Sequence, residues 1–355
     1  MDHDVVIGID PHKTSWYAAV VDGRHRLLSE LRVSASRVGY RELRRLARRW
    51  PNIRWAIEGS SGLGRPLTQR LADDDIAVID VPSKLSSRVR ELATGHGRKT
   101  DQVDARSVAV AALNGSDRLH QSDEQAETLR LLSEHRDELV RRRTQVVNRL
   151  HVLLSHLIDG GAPTWLTADR AAALLGRVRR ACGARATRRT LAVDLVAEVR
   201  HLNKKISTAE VRVSNALDQL EPSLLQLPGA GPVLTARIIG RAGSLARFPS
   251  ADHFASYCGT APIEVSSGDV TRHRLSRAGD RQLNHALHLI ALSQIRCHEP
   301  ARAYYQRKRE SGKGHREALR CLKRRLATVI YRHLEADQSD KIPATNWQRG
   351  TDANN

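Results

Sequence analysis

The chain has 355 residues and a formal net charge of +19, from 58 Lys and Arg against 39 Asp and Glu. That length accommodates two or three domains, and so large a cationic excess points to an anionic partner, nucleic acid first; a solvated basic surface without a partner is the alternative. No apolar run approaches the roughly 20 residues of a membrane helix. Cys182, Cys258, Cys297 and Cys321 lack the spacing of a zinc site or disulfide framework, and the acidic opening MDHDVVIGID is unlike a signal peptide, so a cytoplasmic protein is expected.

Residues 4–9 (DVVIGI), 15–22 (SWYAAVVD) and 25–33 (HRLLSELRV) are β-branched or alternating runs separated by charged turns, and predict three consecutive strands. Residues 37–49 carry Val38, Leu43 and Leu46 at helical spacing. A strand at 53–58 (IRWAIE), a helix in GRPLTQRLADD and a strand at 76–81 (IAVIDV) follow, then a helix from Thr100 or Asp101 through DQVDARSVAVAAL. Three strands, helix, strand, helix, strand, helix is the order of the ribonuclease-H-like fold.

The text then changes character. From Ser122 to about residue 158 one long helix is predicted, with Ser122 and Gln125 as a capping box, ended by DGGAPTW. A second covers about 186–220, where Leu195, Val199, Leu202, Ile206, Ala209, Val213, Ala216 and Leu220 alternate steps of four and three. Such a seam builds a coiled coil across chains or, equally, a helical hairpin within one. LEPSLLQLPGAGPV (220–233) breaks the helical region with prolines and glycines. A mainly helical third region and a polar tail come after it. The expected domains are 1–118, 119–222 and 223–335, with a disordered tail at 336–355.

Two constellations carry chemistry. Asp10 closes the first strand and Glu58 the fourth, and Asp101 and Asp104 stand three apart on one helical face. With the two strands adjacent in the sheet centre, four acids converge. Clustered carboxylates repel one another and hold protons unless a hard cation, Mg²⁺ or Mn²⁺, sits among them. Two such ions about 4 Å apart clamp a phosphodiester, and Arg98 and Lys99 would seat its phosphate. Singly, each acid has a plainer reading: Asp10 as a turn cap, Glu58 as a surface group, Asp101 as a helix N-cap. The second constellation is LPGAGPVLTARIIGRAG, whose Gly229 and Gly231 make the Gly-x-Gly turn of a helix-hairpin-helix-like element. A second helix, capped by Ser250, follows. A tight interhelical turn without DNA is the alternative. Beyond it Ser266 and Ser267 precede Gly268, with Arg272, Arg274 and Arg277 downstream. From composition alone SSG is a turn.

The combination and order of IGIDPHKTSW, AIEGSSGLG, GRKTDQVDARSVA, LPGAGPVLTARIIG, FPSADHFASYCGTAP and SSGDVTRHRLSRAGDRQLNHAL resemble the DEDD insertion-sequence transposases, bridge-RNA-guided recombinases of bacterial mobile elements. The resemblance runs from about residue 4 to about 300. It implies a RuvC-like first domain with Asp10, Glu58, Asp101 and Asp104 as metal ligands. It implies a nucleophilic serine, Ser267 or alternatively Ser266, that forms a covalent link to DNA. It further implies a guide RNA pairing with donor and target DNA, and a homo-oligomer, dimer or tetramer. Asp269 and Val270 stand where relatives often carry glycine or lysine. The competing readings are a metal-dependent, junction-resolvase-like nuclease in which water is the nucleophile, and a non-catalytic nucleic-acid scaffold.

Overall fold

The computed structural model describes residues 5–60, 62–94, 100–115, 123–178, 182–267, 270–275 and 279–339. The side chains of residues 93, 94, 264–267 and 270–275 lie outside that description. The chain divides into two compact units, residues 1–122 and 123–355.

The first unit is a five-stranded sheet between helices. β1 (Val5–Pro11), β2 (Ser15–Val21) and β3 (Leu27–Ser34) form an antiparallel meander, followed by α1 (Arg37–Ala47), β4 (Ile53–Glu58), α2 (Arg65–Asp73), β5 (Val78–Val81), α3 (Ser83–Thr94) and α4 (Asp101–Leu113). The strand order is β3-β2-β1-β4-β5, with β1 and β4 parallel and adjacent as the sequence predicts. This mixed topology is the ribonuclease-H-like arrangement. The side-chain alternation of a strand decides what each face meets. Val5, Ile7 and Ile9 of β1 join Trp55 and Ile57 of β4 against Leu43 and Leu46 of α1 and Leu67 and Leu71 of α2. Val6 and Ala56 instead pack with Val108, Ala109 and Ala112 of α4 and with Leu85 and Val89 of α3.

Gly8 sets how closely α4 lies on that second face. A Cβ there would stand 2.4 Å from both the Ala105 carbonyl oxygen and the Ala109 nitrogen. Only glycine lets the helix backbone rest directly on the strand. Two residues further along β1 is Asp10, and in the first turn of α4 are Asp101 and Asp104. The sequence reading expected one helix after β5. The structure has two, and α3 is the added one; Leu85 and Val89 of α3 pack inward while Leu92, next in the helical spacing, is exposed.

The second unit is helical apart from one hairpin. α5 (Glu124–Ser155), α6 (Ala168–Arg177) and α7 (Gly183–Asp218) come first. α8 (Pro232–Ala242), α9 (Ala251–Tyr257), the β6 (Pro262–Ser267)–β7 (Val270–Leu275) hairpin, α10 (Arg281–Cys297), α11 (Glu299–Glu310) and α12 (His315–Ser339) complete it. Asp123 caps α5, its side chain accepting from the Ala126 N–H at 2.8 Å; Ser122, expected as the cap, lies outside the described residues. The predicted seam is buried within the chain. Leu129 of α5 meets Val213 and Leu217 of α7, Leu139 meets Leu202, Ile206 and Ala209, and Leu150 and Leu154 meet Leu195, Val196 and Val199. Rising numbers on one helix against falling numbers on the other make an antiparallel hairpin, so of the two readings of the seam the structure shows the intrachain one. α12 runs on through the first residues of the expected tail to Ser339. Asp337 accepts the Ser223 N–H and Gln338 accepts the Leu245 N–H, which ties that last turn down. The tail from residue 340 is outside the described residues.

Candidate metal-binding acidic site

Asp10 lies near the end of β1, beside the β4 strand end, because β1 and β4 run in parallel register with Ile9 opposite Ile57. It is 9 % exposed. Burial pushes its carboxyl up from the ordinary 3.8 to about 6; His12 opposes that rise, while Glu58, Asp104 and Asp101 add to it. All three other predicted acids therefore lie within electrostatic reach of Asp10.

The four are not held alike. Thr100 caps α4, its hydroxyl accepting from the Val103 N–H at 3.3 Å. Asp101 is thus relieved of the capping role that the plainer reading gave it. Its Oδ1 lies 3.2 Å from His12 Nε2, and the same nitrogen is 3.4 Å from Asp10 Oδ2. Asp104, 7 % exposed, is paired with Arg90 of α3 at 2.5 Å. Glu58 accepts a hydrogen bond at 2.9 Å from the Ser86 hydroxyl, also on α3. Among the described residues, Asp10, His12 and Asp101 form the group whose ligand atoms all lie within 4.8 Å of one another. Glu58 and Asp104 flank it, oriented by α3 as outer partners orient ligands in metal sites.

His12, Ser86 and Arg90 were not singled out from the sequence. One signal was present: His12 follows Asp10 by two residues, and so continues the face of Gly8 and Asp10. His12 Nε2 is a buried atom without a hydrogen-bond partner. An unpartnered ring nitrogen between two carboxylates fits a divalent cation, because hard oxygens and an imidazole nitrogen both ligate such ions. Acids gathered with few cationic partners, Asp10 and Asp104 buried among them, fit one equally well.

Other predicted positions fall as follows. Arg98, Lys99 and Arg277 lie outside the described residues. Ser266 and Ser267 are the last residues of β6, paired with Thr271 and Val270. They belong to the strand end rather than to the turn, and Arg272 and Arg274 are on β7. Gly229 has φ +85°, and a Cβ there would come within 2.9 Å of Ser293 Cβ on α10. The Gln294 side chain donates to the Pro228 carbonyl at 2.9 Å beside it. The glycine therefore serves a close packing contact. Gly231 is the N-cap of α8, and Ser250 caps α9, accepting from the His253 N–H.

A ribonuclease-H-like sheet with acids gathered where its central strands end, joined to a larger helical unit, defines a class of nucleic-acid-processing proteins. Residues 7–158 match the DEDD transposase profile of the IS110 type, and residues 221–306 match the transposase profile of the IS116/IS110/IS902 family. The chain belongs to this family of insertion-sequence transposases, DNA-processing enzymes. It is 28 % identical to the uncharacterized 44.8 kDa protein of insertion element IS116 of Streptomyces clavuligerus, over 93 % of this chain and 94 % of that one. It is also 28 % identical to the uncharacterized 42 kDa protein of insertion element IS900 of Mycobacterium paratuberculosis, over 97 % and 99 %. A solved structure, T. thermophilus RuvC in complex with Holliday junction substrate, matches 33 % of this chain and 100 % of that chain at 17 % identity and TM-score 0.26. No helix among the described residues is long and apolar enough to cross a membrane.

Proposed function

We propose that the protein is an RNA-guided DNA recombinase of an insertion sequence, with a divalent-metal site on Asp10, Glu58, Asp101 and Asp104 and a serine nucleophile in β6. The observation that carries the metal reading is the Asp10–His12–Asp101 cluster, with its unpartnered nitrogen and a carboxyl raised by burial and by neighbouring acids. An ion of the Mg²⁺ or Mn²⁺ kind would be held there. It would supply Lewis-acid stabilisation of charge on phosphodiester oxygens.

The chain's own groups have separate tasks. Ser86 and Arg90 hold Glu58 and Asp104 in place. Asp10 and Asp101 present oxygens to the cation. Ser267, with Ser266 as the alternative, donates the attacking oxygen, which becomes bonded to phosphorus as the deoxyribose oxygen leaves. A serine hydroxyl needs activation for this, and the guanidinium groups of Arg272, Arg274 and Arg277 are suited to bind the phosphate. Arg98, Lys99 and the turn at Gly229 and Gly231 are further candidate phosphate contacts. Base pairing by a guide RNA would supply sequence specificity, which accords with a chain whose text shows no base-reading code. The family resemblance implies a homo-oligomer, dimer or tetramer, while α5 packs on the α7 seam within one chain.

The test is DNA strand exchange with element-derived RNA. Ser267→Ala is expected to abolish exchange and the covalent protein–DNA adduct on a denaturing gel while DNA binding stays within about twofold. Exchange that survives in both Ser267→Ala and Ser266→Ala, but is lost in Asp101→Asn, identifies a metal-dependent nuclease with water as nucleophile.

A further inference from the structure

We infer that His12 Nε2 is itself a ligand of the divalent ion held by Asp10 and Asp101, and that this nitrogen tilts the site toward Mn²⁺ over Mg²⁺. The inference rests on the metal reading of the same acids and adds a fifth side chain with a different chemistry.

Three observations converge on the nitrogen. Alternation along β1 turns Gly8 and Asp10 toward α4, and His12 extends the same face one step past the strand end. The His12 backbone is pinned there, its N–H donating to the Ser15 carbonyl at 2.8 Å across the β1–β2 connection. The ring then reaches both carboxylates, and Nε2 lies 3.4 Å from Asp10 Oδ2 and 3.2 Å from Asp101 Oδ1.

The spacing argues for shared coordination over a direct proton bridge. A charge-assisted N–H···O bond to a carboxylate closes to about 2.7–2.9 Å. Both separations here are longer, and the nitrogen makes no hydrogen bond. Neighbouring donors around an octahedral ion with bonds of about 2.1 Å sit roughly 3 Å apart. The spacings from the nitrogen to the two carboxylate oxygens are of that order, and all three donor atoms lie within 4.8 Å of one another.

The identity of the donor then bears on the metal. Mg²⁺ takes oxygen ligands in a near-ideal octahedron and keeps several waters. Mn²⁺ also prefers oxygen but gains more than Mg²⁺ from an imidazole nitrogen. One nitrogen among carboxylates therefore favours Mn²⁺ without excluding Mg²⁺.

The full-length protein loaded with Mn²⁺ tests this by pulsed electron paramagnetic resonance, which reads nitrogen bonded to the ion independently of activity. The expected result is the coupling of a directly bound imidazole nitrogen. Its pattern should change when the unaltered chain is labelled with ¹⁵N-histidine, a control that needs no variant to fold. His12→Gln is expected to lose the coupling and to bind Mn²⁺ about tenfold more weakly, with Mg²⁺ affinity moving less than about threefold. Bound Mn²⁺ without nitrogen coupling in the unaltered protein, or coupling that persists in His12→Gln, would overturn the role of His12 and leave the carboxylate site standing. Failure of the unaltered protein to bind either ion, or undiminished Mn²⁺ binding by Asp10→Asn, would remove the carboxylate site and this inference with it.

Discussion

Buried charge is handled differently in the two units. In the helical unit, Arg237 of α8 is 5 % exposed and donates to both oxygens of Asp137 on α5 at 2.6 Å. Lys323 of α12 is 8 % exposed, and its ammonium donates to Asn284 Oδ1 at 2.5 Å while burial lowers its proton affinity. Each of these buried cations has a partner, although Arg237 Nε itself makes no hydrogen bond. In the sheet unit, four acids crowd the ends of β1 and β4 and the start of α4. Arg90 serves one of them, and the nitrogen between two others bonds to neither. The first pattern is that of groups tying helices together. The second is that of groups arranged for something else to bind.

That contrast can be broken by substitution. If the Arg237–Asp137 pair is structural, Arg237→Ala leaves the half-buried Asp137 carboxylate with Arg136 at 3.5 Å and costs about 1–3 kcal/mol. The chemical-denaturation midpoint of the helical unit should fall accordingly, with metal affinity unchanged. A loss below about 1 kcal/mol would place the pair in solvent and erase the difference between the units. Gly8→Ala is the counterpart in the sheet unit. Its Cβ meets backbone atoms of α4 that cannot rotate away, so the helix must lift. The expected cost is about 1–3 kcal/mol, accompanied by a fall in divalent-ion affinity. Unchanged affinity would show that the approach of α4 to β1 does not set the site.

A pH-dependent effect comes from Asp10, whose carboxyl is raised from 3.8 to about 6 in the folded chain. The folded state then binds more protons than the unfolded state between those two values. Stability of the chain without divalent ions therefore falls as pH rises from about 4 to about 6 and levels off above, by up to roughly 3 kcal/mol. Asp10→Asn removes this part of the slope and leaves the chain more stable at pH 7 in a chelator, even as it abolishes ion binding. Identical pH profiles for the two proteins, measured by thermal unfolding, would contradict a carboxyl raised by burial and by its acidic neighbours.

The sheet was legible in the sequence because its strands are short β-branched runs with charged turns between them. Asp10 and Glu58 were legible because they close two such runs. α3 was not, since its surface is mostly polar, and with it went Ser86 and Arg90, the partners of Glu58 and Asp104. His12 carried no signal in its type. Only its even spacing from Gly8 and Asp10 marked it, and that spacing has meaning once the face of β1 toward α4 is known. The α7 seam was read correctly as apolar, yet periodicity cannot say what covers a seam; the partner was α5, about 60 residues earlier in the chain by the Arg143–Asn203 side-chain contact. Gly229 was legible as a necessary glycine, but the reason visible in the structure is the passage of α10 behind it.

The central claim is that Asp10 of β1 and the acids opening α4 gather around a divalent ion. The most direct measurement is the anomalous difference map of crystals of the full-length protein grown with Mn²⁺. A peak is expected about 2.0–2.4 Å from a carboxylate oxygen of Asp10, with Asp101 also bound to the same ion. Crystals that hold Mn²⁺ only elsewhere, with Asp10 and Asp101 bonded to protein groups alone, would contradict it.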